Sequence, residues 1–213
     1  MIKLVIFDMD GLMFDTEAVT YRAFSEVWTA AGCHPEFSQY VQLLGLNSED
    51  ICKKYREMFG AEFEPAQMYA RVGNRKNEIM KKEGVPVKKG LKELLCALED
   101  RGIKKAVASG SDRSVVEENL RVTGLEGHFD MILSTKEVKR GKPYPDAFLL
   151  ICETLGVSPE ETLVLEDSAN GVEAAIAGEI PVIQIPDMLE LPSELREKCL
   201  AIEESLDKVI KYL

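Results

Sequence analysis

Two carboxylates stand close together near the start of the chain, directly after an apolar segment. Asp8 and Asp10 follow residues 4–7, LVIF, and one residue separates them. Side chains two residues apart on an extended chain point to the same face, so both acids can face the crevice where a doubly wound sheet binds its ligand. The pair is suited to nucleophilic and acid–base chemistry. It is also compatible with two polar residues that merely end a strand.

A hydroxyl and a glycine follow a second apolar segment. Ser109 and Gly110 come after residues 105–108, KAVA, and precede a predicted helix with Ser111 or Asp112 as its N-cap. A strand end, a small loop and a helix N-terminus suit an anion, because backbone N–H groups and the helix dipole point toward the loop. Taken alone, this pattern more often marks an ordinary capped helix.

A lysine and a second acidic pair complete the candidate residues. Lys142 lies between a glycine and Pro143, and the proline fixes the local backbone near a strand end. Glu166 and Asp167 end the apolar run LVL. Two neighbouring carboxylates that leave a buried strand are costly without a compensating cation, so this pair predicts a metal site.

The elements that must position these residues alternate along the chain. Short apolar runs rich in β-branched residues predict strands, and helical patterns separate them. This alternation predicts βαβ units and an α/β fold with a Rossmann-like parallel sheet. The predicted strands are residues 2–7, 105–108, 131–133, 162–165 and 181–185.

An insertion separates the first two predicted strands, which lie roughly a hundred residues apart, far more than one crossover helix requires. Helical patterns over residues 16–31, 47–59 and 65–83 fill this interval. We therefore predict an all-helical cap over residues 15–86, inserted into an α/β core formed by residues 1–14 and 87–213. The linkers fall near residues 11–14 and 84–90.

Composition excludes several classes of function. The chain has 26 Lys and Arg against 37 Asp and Glu, a net charge of −11, and no basic run, which disfavours nucleic acid and anionic membranes as partners. Five scattered cysteines without a C-x-x-C pair argue against a disulfide framework and a thiolate zinc site. No apolar run reaches membrane-spanning length. We expect a soluble, cytoplasmic protein that is a monomer or a weak dimer.

The order of the four chemical segments is itself informative. FDMDGLMFDTE, ASGSD, GKPYPD and LEDSANGVEAA occur in this order, each at the end of a predicted strand or at the start of the next helix. Together they resemble the four motifs of the haloacid dehalogenase superfamily. The resemblance extends over nearly the whole chain, and the helical insertion is similar to the cap of the β-phosphoglucomutase-like branch.

The resemblance implies roles in phosphoryl transfer. Asp8 would be the nucleophile that attacks phosphorus and forms an aspartyl-phosphate. Asp10 would be the general acid toward the leaving alcohol and then the general base on water. The phosphoryl oxygens would be held by Ser109, Gly110 and Lys142.

The same resemblance implies a Mg²⁺ ion, bound by the Asp8 carboxylate, the Asp10 backbone carbonyl and Asp167, with Glu166 as a ligand either directly or through water. Elementary chemistry agrees with this cofactor. A phosphate monoester dianion repels a carboxylate nucleophile, so the site needs compensating positive charge. Hard oxygen ligands without His or Cys favour Mg²⁺ over zinc.

The substrate expected from these features is a small phosphate monoester, with sugar phosphates first. Asp10 favours phosphoryl transfer, because dehalogenases of the superfamily lack that acid. Thr16 and Lys76 match features of β-phosphoglucomutases and are candidate substrate contacts, although Lys76 fits an exposed helical lysine equally well. Those mutases have a histidine at the position of Thr20 and an arginine where residues 45–48 are GLNS.

The predicted function is therefore a phosphatase, and two alternatives stay open. A hexose-phosphate mutase similar to β-phosphoglucomutase is the first, weakened by the missing arginine, whose charge Asn or Ser cannot replace. A non-catalytic protein that binds phosphate or metal is the second. It is disfavoured because no motif residue is substituted.

Overall fold

The computed structural model describes all 213 residues and contains a six-stranded, wholly parallel sheet. The strand order is β3-β2-β1-β4-β5-β6, so β1 lies between β2 and β4. Every residue of β1 is buried, as expected for an inner strand of a parallel sheet covered on both faces. The strands are β1 (Leu4–Phe7), β2 (Lys104–Ser109), β3 (Met131–Ser134), β4 (Thr162–Glu166), β5 (Val182–Gln184) and β6 (Ala201–Ile202).

Helices connect the strands of this α/β unit. Their buried faces repeat the sequence pattern: Leu91, Leu94, Leu95 and Leu98 of the first helix after the insertion are all buried. Three 3₁₀ segments also occur, over Thr135–Glu137, Pro159–Glu161 and Leu206–Tyr212. The helices are α5 (Leu91–Asp100), α6 (Arg113–Val122), α7 (Asp146–Leu155), α8 (Ala169–Ala177) and α9 (Ser193–Arg196).

The inserted segment forms a separate helical unit with its own aromatic core. Trp28 stacks on Phe59 with ring centroids 3.8 Å apart, and Tyr55 meets Trp28 edge-on at 5.1 Å. Phe24 is fully buried against the same cluster. The helices are α1 (Thr16–Ala30), α2 (Phe37–Val41), α3 (Ser48–Phe59) and α4 (Pro65–Glu83).

The predicted α/β class with a parallel sheet is confirmed. The chain divides into one unit of Met1–Asp15 and Val87–Leu213 and a second of Thr16–Pro86, so Asp15 belongs to the α/β unit and not to the helical one. Strand β6 was not predicted, because two residues give no usable periodicity. None of the helices combines the length and apolar character needed to cross a membrane.

Candidate active site

The predicted catalytic residues meet at the carboxyl ends of three neighbouring strands. Asp8 directly follows β1, Ser109 ends β2 and Glu166 ends β4. In the register of the sheet Phe7 lies opposite both Val107 and Leu165. Because all three strands are parallel, residues far apart in sequence reach the same edge, at the point where the strand order reverses.

Lys142 links all three of these strand ends. Its ammonium group donates to the Asp8 carboxylate, to Glu166 Oε1 at 2.5 Å and to the Ala108 carbonyl at 3.0 Å. The side chains of Lys142 and Asp8 are each 11% exposed. A lysine with this degree of burial and two anionic partners is held as a fixed positive charge beside the predicted nucleophile.

The pKa values of Asp8 and Lys142 are both raised, but for different reasons. Desolvation is the main cause of the rise for Asp8, Lys142 opposes it and the negative charge of Glu166 adds to it, so that the pKa of Asp8 is raised to about 7. Burial alone would lower the pKa of Lys142, but Asp8 and Glu166 outweigh that effect and raise it. Lys142 is therefore protonated at neutral pH, whereas Asp8 needs more positive charge to remain fully ionised.

The Glu166 carboxylate is fully buried and completely engaged. Besides Lys142 on Oε1, its Oε2 accepts from the backbone N–H of Asp167 at 3.1 Å and of Ser168 at 3.2 Å, and from the Ser168 hydroxyl at 3.0 Å. Gly171 lies directly over this carboxylate, and a Cβ there would overlap it. Ser168 caps α8, because its hydroxyl oxygen accepts a hydrogen bond from the Gly171 N–H.

Three carboxylates are arranged as a divalent cation would require. Oxygens of Asp8, Glu166 and Asp167 all lie within 4.8 Å of one another. Burial raises the pKa of Asp167 well above its ordinary value, and the charges of Asp8, Glu166 and Asp187 raise it further. One lysine cannot balance three acids, of which Asp8 and Glu166 are buried and Asp167 is half-buried. The all-oxygen donor set and the uncompensated charge fit Mg²⁺.

Asp10 lies on the turn after Asp8 and is half-buried. Its Oδ2 accepts a hydrogen bond of 2.8 Å from the Ser111 hydroxyl. Gly11 follows with φ of 84°, a left-handed conformation that glycine adopts without steric cost. This turn directs Asp8 and Asp10 toward the same side of the sheet edge, with Asp10 bound to the loop after β2.

The loop after β2 is held by serines. Ser109 Oγ is buried and accepts from the Ser111 N–H at 3.0 Å, and Ser134 Oγ donates to the Ser111 carbonyl at 2.8 Å. Gly110 is exposed, and a Cβ at this position would meet nothing within 4 Å. The N-cap position of α6 is Asp112, and its side chain makes no capping bond.

Of the two candidate substrate contacts, Lys76 lines a cavity and Thr16 does not. The helical unit contains a cavity of about 470 Å³, whose lining includes Lys76, Asn74 and Tyr40. Lys76 is half-buried there, so it differs from a fully exposed surface lysine. Thr16 is fully buried at the first position of α1 and does not line the cavity.

The sequence analysis did not identify the ion pair between Lys88 and Asp187 in the α/β unit. Asp187 follows β5 and pairs with Lys88 through Oδ1 and Nζ, 2.6 Å apart. Asp187 could have been found by the rule that found Asp8 and Glu166, since it too follows a buried parallel strand. Its position two residues beyond a short apolar run, next to a proline, made it look like an ordinary loop residue.

The chain belongs to the haloacid dehalogenase-like hydrolases, whose family model matches residues 5–185. It is 32% identical over 173 residues to the phosphorylated carbohydrates phosphatase of Thermotoga maritima, covering 81% of this chain and 80% of that protein. The fructose-1-phosphate phosphatase YqaB of Escherichia coli is 28% identical over 181 residues, which cover 85% of this chain and 95% of YqaB. The predicted resemblance is confirmed.

A solved structure shows the same fold over nearly the full chain. The crystal structure of CbbY from Rhodobacter sphaeroides in complex with phosphate has a TM-score of 0.79 and 27% sequence identity to this protein. The match covers 98% of this chain and 96% of that one.

Proposed function

We propose that the protein is a Mg²⁺-dependent phosphatase of small phosphate monoesters, sugar phosphates in particular, that acts through a phosphoryl group on Asp8. One observation supports this most strongly: Lys142 joins Asp8 to Glu166 at neighbouring strand ends, with Asp10 on the following turn. This arrangement supports the roles that we assign to Asp8 as nucleophile, to Lys142 as fixed cation and to Asp10 as proton carrier. The names of the two relatives agree with this substrate class.

The proposed reaction has two steps. In the first, an oxygen of Asp8 attacks phosphorus, the bond from phosphorus to the alcohol oxygen breaks, and Asp10 gives its proton to the departing oxygen. In the second, Asp10 removes a proton from water, the water oxygen attacks phosphorus, and the bond to Asp8 breaks. The products are the alcohol and inorganic phosphate, and both acids return to their starting states.

Lys142, Ser109 and Gly110 would bind the phosphoryl oxygens. Asp8, Asp167 and the Asp10 backbone carbonyl would hold Mg²⁺, which when bound offsets the negative charge of nucleophile and phosphate. Both Glu166 oxygens are already engaged, so of the two modes expected for Glu166 the one through water fits better. The main role that we assign to Glu166 is to position Lys142.

The mutase alternative is supported by Lys76 on the cavity, but two neighbouring positions count against it. Asn47 caps α3, its Oδ1 accepting from the N–H groups of Glu49 and Asp50 at 3.0 Å. Thr20 donates its hydroxyl to the Thr16 carbonyl at 2.7 Å. Neither side chain supplies a cation for the second phosphate of a sugar bisphosphate. A phosphatase has no need of one.

The experiment that tests this function measures phosphate release from a panel of sugar, polyol and nucleoside monophosphates. Each assay is run with Mg²⁺ and with excess chelator, on the wild type and on Asp8→Asn. We expect release that requires Mg²⁺ and is absent in the variant, which retains the fold by circular dichroism. Interconversion of hexose phosphates with little free phosphate would favour the mutase instead.

A further inference from the structure

An acidic side chain outside the four motifs lies beside the candidate metal site. Asp187 follows β5, the strand next to β4, and its side chain is 10% exposed. Its Oδ1 pairs with Lys88 Nζ at 2.6 Å. Lys88 comes directly after Val87, the residue at which the chain re-enters the α/β unit.

The second oxygen of Asp187 is buried and has no hydrogen-bond partner in the protein. A buried acceptor without a partner is destabilising, and more so when it is charged. Lys88 neutralises the carboxylate through the other oxygen and leaves Oδ2 unsatisfied. Such an atom is explained when a donor that is not part of the chain occupies the space in front of it.

Oδ2 points toward the predicted metal ligands. A Cβ built on Gly11 would overlap Asp167 Oδ2 and would lie 3.3 Å from Asp187 Oδ2. The two carboxylate oxygens therefore converge on the same small volume beside the turn that contains Asp10. Asp187 is not one of the three acids whose oxygens lie within 4.8 Å of one another. Because Asp187 does not belong to that group, a contact through a bridging molecule is favoured over direct binding of the ion.

We propose that Asp187 Oδ2 accepts a hydrogen bond from a water ligand of the Mg²⁺ ion, and that Lys88 fixes the carboxylate in the orientation this requires. The proposal rests on the Mg²⁺ site of the proposed function. A water molecule bound to a divalent cation is a strong donor, and a partly neutralised carboxylate is a suitable acceptor. Asp187 is thus a positioning residue for the metal.

Mg²⁺ affinity, measured by isothermal titration calorimetry on the full-length protein without substrate, tests the proposal. Partners of metal ligands typically contribute about 10- to 100-fold to affinity, so we expect Asp187→Asn to bind Mg²⁺ at least about tenfold more weakly. Glu190→Gln is the matched control. It removes one negative charge from the same loop, at a side chain that is 87% exposed, and should leave the affinity unchanged.

Asp187→Glu separates position from charge, because it retains the carboxylate but moves its oxygens by one methylene. We expect weaker binding here too, and this variant decides the matter if Asp187→Asn does not fold by circular dichroism. Wild-type affinity in Asp187→Asn, or in Asp187→Glu, would overturn the proposed contact. Absence of Mg²⁺ binding by the wild type would overturn the metal site itself, and with it the proposed function.

Discussion

At the scale of residues, the candidate site contains more acidic side chains than cationic ones. Lys142 is paired with Asp8 and Glu166, and Asp167 has no comparable cationic partner close by. This imbalance accounts for the raised pKa of Asp8, which burial initiates and neighbouring carboxylates reinforce. A bound divalent cation would offset this excess of negative charge. The proposed function therefore links metal binding, ionisation of Asp8 and stability at this site.

The stability of the metal-free protein should depend on pH through Asp8. Its pKa is about 7 in the fold and 3.8 ordinarily, so the fold favours the protonated form. The stabilisation relative to Asp8→Asn is therefore full below about pH 4 and is lost as the pH rises through about 7. Chemical denaturation of the wild type and of Asp8→Asn, with chelator present and at several pH values in this range, measures the difference in their free energies of unfolding. A wild type that gains stability relative to Asp8→Asn as the pH rises from about 4 to about 7 would contradict the prediction.

Asp10→Asn should separate the two steps of the proposed reaction. General acid–base catalysis contributes about 10²- to 10⁴-fold, and we expect a loss of that size for sugar phosphates. With an aryl phosphate, whose leaving group needs no proton, the variant should release a burst of one phenol per protein and then stall. Stopped-flow absorbance measures the burst. Equal, steady rates for both substrate types would contradict the role of Asp10.

At the scale of elements, the parallel sheet explains why the site was predictable. The carboxyl ends of β1, β2 and β4 are adjacent, so Asp8, Ser109 and Glu166 had to meet once the strands were identified. Contacts between side chains were harder to predict from the sequence. Nothing in the sequence shows that Glu166 is fully engaged by Lys142 and by backbone N–H groups, because that choice depends on distances set only by the folded chain.

The start of α8 offers a test of close packing at the site. Gly171→Ala should lower the free energy of unfolding by about 1–3 kcal/mol, because its Cβ would overlap the Glu166 carboxylate. Gly73→Ala in α4 is the control. Its Cβ meets nothing within 4 Å, and alanine should stabilise the helix by about 0.5–1 kcal/mol. Urea denaturation measures both. Equal effects would show that Gly171 is not a packing constraint.

At the scale of the whole molecule, the two units have different tasks in the proposed function. The α/β unit contains every residue assigned to the chemistry. The helical unit contains the cavity lined by Lys76, to which the proposal assigns a cationic contact with part of the substrate. With a net charge of −11, the protein does not attract anions at long range. In the proposed function, affinity for a phosphorylated substrate would therefore depend on local cations.

Lys76→Ala should change substrate preference and leave the chemistry intact. If the lysine contacts the non-reacting part of a sugar phosphate, KM should rise about tenfold with little change in kcat. A tenfold rise corresponds to a loss of roughly 1.4 kcal/mol of binding free energy. Lys82→Ala, an exposed lysine on the same helix, is the control. Steady-state kinetics across the substrate panel measure both. Identical constants for the two variants would assign Lys76 to the surface.

The most direct test of the account is the site of phosphorylation. Asp10→Asn is mixed with an aryl phosphate and Mg²⁺, quenched with acid, digested and analysed by mass spectrometry, with Asp8→Asn as the control. The account predicts one phosphoryl group on Asp8 and none in the control. Release of phosphate by the wild type, with Asp8 never modified or with the phosphoryl group on another residue, would contradict it.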